Sequence, residues 1–121
     1  MHVTDRFALH ADTSDIIIDG EVSAYRRGFI ALQIDVPAKL FRYRDSNQWS
    51  NNFVRALSDS DVAAVREAVQ DWPEDASSPD GPLHWQVTLR VGSDSEKFEG
   101  HRNSDPVWRH ISALVESIGG K

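Results

Sequence analysis

The segment HWQVTLRV, His84 to Val91, alternates without a break: Trp85, Val87, Leu89 and Val91 fall on one side, and His84, Gln86, Thr88 and Arg90 on the other. Successive side chains of a strand point to opposite faces, so this is a strand with one apolar, core-facing side and one polar side. Such a strand needs a neighbour to satisfy its backbone and a second layer to cover its apolar face. The turn-forming residues GSDS and the segment EKFEGH come next. They predict an antiparallel return that sets Leu89 opposite Phe98, and Arg90 opposite Lys97 and diagonal to Glu99.

The first third of the chain has the same period. In Gly28–Val36, Ile30, Leu32, Ile34 and Val36 share a side, and after Pro37 the segment Lys39–Arg44 sets Phe41 and Tyr43 against Leu40, Arg42 and Arg44. Upstream, RFAL and IIIDGEVSAY supply one or two further strands, with Asp19-Gly20 as a hairpin turn if the halves of the second segment pair. Asp45–Asn52 is a loop by its Ser, Asn and Asp content.

Two segments carry the helical period instead. Val62, Val65, Val69 and Trp72 form one stripe, with Ser58 or Ser60 as N-cap, acids in the first turn and Pro73 as the stop. Trp108, Ile111, Val115 and Ile118 form another, with Leu114 beside it and Gly119-Gly120 ending it. Residues 73–82 between the first helix and the strand are rich in breakers and read as a surface connection. Strands, helix, hairpin and helix in that order argue a single α+β domain over residues 1–121: an antiparallel sheet of about four to six strands packed against helices at about 58–72 and 106–118. The expected shared core holds Trp72, Trp85, Trp108, Val65, Val69, Val87, Leu89, Phe98, Ile111 and Val115.

A chain of 121 residues can remove roughly two-thirds of its unfolded surface from water and needs no staples. It has no cysteine, which excludes disulfides, a thiolate nucleophile and thiolate-bound metals. Neither a signal peptide nor a run of about 20 apolar residues is visible, so a cytoplasmic location without membrane contact is expected. The net charge is −6, but it is segregated: −4 over residues 1–25, +4 over 26–55 and −6 over 56–121. An acidic chain is a poor default partner for nucleic acid and a better one for a basic protein.

Motifs with a chemical mechanism are absent: no phosphate loop, no GxSxG, no HExxH and no calcium loop. Asp61, Glu67 and Asp71 read as the solvated face of the first helix rather than as acid–base pairs. His2 and His10 lie near the terminus, and His110 is expected on the polar side of the last helix. His84 and His101 are more suggestive, because the hairpin brings them to one face as diagonal neighbours. There they form a candidate divalent-metal pair, with Glu99 or Asp105 as a possible oxygen ligand, against the simpler reading of two exposed imidazoles. No cofactor is implied.

EGHRNSDPVW, Glu99 to Trp108, looks most like a site and is largely accounted for by geometry. Asp105 or Ser104 caps the last helix, Pro106 suits its first position, and Asn103 tolerates the turn. His101 and Arg102 are left over. Over about residues 57–118, a helix, the Trp-initiated strand HWQVTLRV, a return strand ending in glycine and NSDPVWRHISAL together resemble a widespread group of short uncharacterised bacterial proteins. Their pattern there is Gly-x-Asn-x-x-Pro leading into a final amphipathic helix. Asn103 and Pro106 keep its Asn-to-Pro spacing, whereas Gly100 stands one residue further from Asn103. The resemblance implies an α+β fold and carries no activity.

Three functions compete. The first is a non-enzymatic protein-binding module of immunity or adaptor type, contacting its partner through Trp49 in the loop with Asn47, Asn51 and Asn52, since Trp is a common interface anchor and no core period claims this one. The second is a small-molecule or metal-dependent enzyme using His84 and His101. The third is a nucleic-acid binder using the basic 26–55 segment, where Arg42 and Arg44 flank Tyr43.

Overall fold

The computed structural model describes residues 15–24, 28–46, 52–74 and 78–119. Six strands, β1 (Ile16–Ala24), β2 (Gly28–Asp35), β3 (Leu40–Asp45), β4 (Phe53–Ala56), β5 (Leu83–Val91) and β6 (Asp94–Gly100), form one sheet in the order β4-β3-β2-β1-β5-β6. All neighbours are antiparallel. Helix α1 (Asp59–Gln70) lies between β4 and β5 in the chain, and helix α2 (Pro106–Gly119) follows β6. This is the α+β architecture expected from the order of the periods, with both helices within two residues of their expected ends.

Alternation decides which side of the sheet is core. Ile18, Ile34, Phe41, Trp85, Val87 and Leu89 are almost fully buried on the helix side. The opposite side carries a polar row in which Gln33 donates to Asp19 at 2.9 Å and Arg42 donates to Gln33 at 2.7 Å. α1 starts with a capping box: the Ser58 hydroxyl accepts from the Asp61 N–H at 3.1 Å, and the Asp61 carboxylate accepts from the Ser58 N–H at 2.9 Å. It buries Val62, Val65, Ala68 and Val69, and ends at Gln70, so Trp72 packs from the segment after it.

Four expectations are corrected. Asp19-Gly20 is not a hairpin turn; β1 runs straight through it as the strand between β2 and β5. Gly20 faces Leu32 and lies under the Trp108 ring, where an added Cβ would meet both at ordinary contact distance, so it sits in the strand without bending the chain. The β5–β6 register is shifted by two residues, pairing Phe98 with Val87 and Lys97 with Thr88 rather than with Leu89 and Arg90. Both registers keep the apolar faces together, but Gly92, at φ 63°, makes a tight two-residue turn in which Val91 already pairs with Asp94.

The buried stripe of α2 is Val107, Ile111, Leu114 and Ile118, one step around from the expected one. Trp108 and Val115 flank it half-buried, the Trp108 ring stacking on Trp85 at 5.9 Å. The same rotation takes His110 away from the polar side. Its Nε2 meets the Ala68 carbonyl of α1 at 2.7 Å, and its ring stands edge-on to Trp72.

Candidate functional site

The Glu99–Trp108 stretch is organised by one carboxylate. Asp105, the residue before α2, is the one buried polar or charged residue among those described, and its backbone carbonyl accepts the first helical bond from Arg109. Its side chain turns inward. It accepts from the Trp85 indole at 2.8 Å, the Ser78 hydroxyl at 2.9 Å, and the backbone N–H groups of Ser78 and Arg102, each at 3.2 Å. Burial alone would raise the carboxyl's pKa; the Trp85, Ser78 and backbone donors outweigh it and hold it below the ordinary aspartate value. A Cβ on Gly100 would collide with this carboxylate and come within 2.6 Å of the Trp85 ring. With four donors turned onto Asp105, the arrangement ties β5, the Ser78 segment and α2 together.

The corrected register improves the placement of His84 and His101. Trp85 pairs with Gly100, so the two histidines follow as facing neighbours and their rings stack at 5.1 Å and 29°. Each already has a partner: His84 Nε2 lies 3.0 Å from Glu99 Oε1, and His101 Nδ1 lies 3.4 Å from the Ser78 carbonyl. The hydrogen bond from His84 lowers the Glu99 carboxyl below its ordinary value against the opposing effect of burial, and the charges of Lys97 and both imidazoles add to the lowering. Among the described residues no group of three or more His, Cys, Asp or Glu side chains is arranged to hold a metal ion. Asp105, considered as an oxygen ligand from sequence, is instead committed to Trp85 and Ser78.

Trp49, Asn47 and Asn51 lie outside the described residues. Asn52 is exposed, and its side-chain oxygen accepts from the backbone N–H of Asp45 at 2.5 Å, which closes the β3–β4 hairpin. Sequence periodicity does not reveal β4. Its four residues are too few for a period to stand out, yet Phe53 and Val54 are strand formers placed directly after an Asn-rich stretch of sequence, and that is the signal available.

Among the described residues β4 is an edge strand, exposed throughout, with Phe53 at 37% and Val54 at 62%. Phe53 stacks on Tyr43 at 5.4 Å and 8°, with the Arg55 guanidinium 5.7 Å from its centroid. Arg55 Nη2 donates to the Ile118 carbonyl at 2.8 Å, anchoring the end of α2 to this edge. Tyr43 continues into a cavity of about 260 Å³ between the sheet and α2, lined by Val22, Ile30, Leu32, Trp108, Ile111 and Val115 among others. Burial, then the nearby Asp45 carboxylate, raises the Tyr43 hydroxyl's pKa. Exposed aromatic surface at β4 is thus continuous with a half-open apolar groove. Among the described residues no helix is long and apolar enough to cross a membrane. No protein-family model and no curated protein matches the chain.

Proposed function

We propose that this chain is a non-catalytic protein-binding domain that docks its partner on the β4 edge and the groove beside it. The observation that carries this reading is Val54, 62% exposed on an edge strand beyond which no described strand lies. An open edge presents unpaired N–H and C=O groups and is a ready template for an added strand. The other edge is protected differently: β6 carries Asp94, Glu96, Lys97 and Glu99 among its seven residues, whereas β4 has Arg55 as its one charge among four. Charged side chains are the usual means of discouraging edge pairing, and β4 carries one where β6 carries four.

The competing readings have less behind them. Arg42, the centre of the basic segment, holds Gln33 and lies 3.9 Å from Asp35, so it is partly engaged away from any phosphate. The stacked His84 and His101 have Glu99 and the Ser78 carbonyl as partners, and no further ligand converges on them among the described residues. An immunity or adaptor role remains within the proposal as one form a binding domain takes.

Affinity capture from a source lysate, run in parallel with wild-type and Val54→Lys baits, tests it. A stoichiometric protein retained by the wild-type chain and lost by the variant is the expected result. Equal retention by both baits would move the docking surface away from β4.

A further inference from the structure

Resting on the reading of β4 as a docking edge, we infer that the partner this edge fits is a second copy of the chain. The two β4 strands would pair antiparallel about a two-fold axis at Val54, continuing one sheet through both copies.

The backbone decides which groups are available. The Leu57 N–H donates to the Lys39 carbonyl at 2.8 Å, so the odd-numbered residues of β4 bond toward β3. Antiparallel ladders alternate, which turns the N–H and C=O of Val54 and Ala56 to the open edge. Facing residues in an antiparallel pair also share a face, and this leaves two centred registers for a strand of this length. One sets Arg55 against Arg55 of the second copy, and facing like charges are unfavourable.

The other register is self-complementary. Val54 meets Val54 of the second copy as a doubly hydrogen-bonded pair on the polar side of the sheet, joining two side chains that are otherwise open to water. On the groove side, Phe53 faces Arg55 of the second copy and Arg55 faces Phe53. Arg55 already lies 5.7 Å from Phe53 within one chain, so pairing extends this contact into an alternating Phe–Arg row across the junction. An isologous contact of this kind closes at two copies and leaves both charged β6 edges outermost.

The contact is small. Four residues per copy bury far less than the roughly 800 Å² per partner of a stable complex, so a weak, concentration-dependent dimer is expected.

The absence of cysteine from the chain makes a site-specific test available. In the inferred register the paired Val54 Cα atoms stand about 5.5 Å apart, within disulfide range. Val54→Cys should oxidise to a covalent dimer at least about tenfold faster than Ser95→Cys, which places an exposed cysteine on the β6 edge. Sedimentation velocity on the full chain between about 1 and about 300 µM should show wild-type sedimentation rising toward a dimer. Val54→Lys, with an unchanged melting curve, should stay monomeric. A wild-type chain that remains monomeric over this range, or Val54→Cys cross-linking no faster than Ser95→Cys, overturns the inference. So does a dimer that Val54→Lys leaves intact. A monomeric wild-type chain that still captures a protein lost by Val54→Lys would refute the second copy while leaving the docking edge in place.

Discussion

The indole N–H of Trp85, in the middle of the sheet, donates to the Asp105 carboxylate at the start of α2 across 2.8 Å. This bond joins the largest fully buried side chain to the one buried charge among the described residues. A buried charge is tolerated only when its lone pairs are satisfied, and here three groups besides Trp85 supply donors. The joint between strand and helix is therefore a structural lock more than a simple cap.

A solvent-facing N-cap is worth about 1 kcal/mol. Asp105→Ala should cost more, about 3 kcal/mol in urea unfolding, because it leaves the Trp85 and Ser78 donors without their acceptor. A loss near 1 kcal/mol would mean that water replaces the carboxylate at little cost.

The lowered pKa of Asp105 gives a pH dependence of definite sign. Its folded value lies below the unfolded one, so its contribution is complete above the unfolded value, near pH 4, and is lost as pH falls through the folded value. Wild-type stability should drop over that acid range, and Asp105→Asn should flatten this part of the profile. Parallel profiles for the two proteins would contradict the assignment.

Two glycines should respond for different reasons. Gly92→Ala forces a side chain into left-handed backbone at φ 63° with open space around it, a cost of about 1–2 kcal/mol. Gly100→Ala drives a methyl group into Asp105 and Trp85 and should be the more damaging of the pair. Thermal melts rank them, and the reverse order would mean that the joint has slack.

Glu99 should lose its lowered pKa in His84→Ala, since the His84 hydrogen bond is the main cause of the lowering. Carboxyl-detected NMR titration reads this directly. The same double-histidine face can be probed with zinc in wild type and in the His84→Ala/His101→Ala variant. Equal binding would mean that the stacked pair is not a metal site.

What was legible in sequence followed from period and cap chemistry, and what was hidden depended on distance along the chain. Val87 and Leu89 could be placed in the core because alternation needs only local information, and Ser58 could be read as a cap because a cap is local too. Face identity survives a two-residue slip, so alternation could not choose between Leu89 and Val87 as the partner of Phe98; the backbone at Gly92 did. Asp105 could be read as a cap, but its burial depends on Trp85 and Ser78, which are 20 and 27 residues away. Phe53 and Val54 belong to a strand whose place at the sheet edge is set by the order of all six strands, which no local pattern encodes.

The claim that β4 is the docking edge is tested most directly by amide hydrogen exchange at Val54 and Ala56, whose N–H groups turn to the open side of the sheet. Fast exchange is expected at low protein concentration, slowing as the chain is concentrated or its captured partner is added, with no slowing in Val54→Lys and no change along the β6 edge. Exchange at Val54 and Ala56 that stays fast when binding is saturated, with protection appearing on another surface, would contradict it.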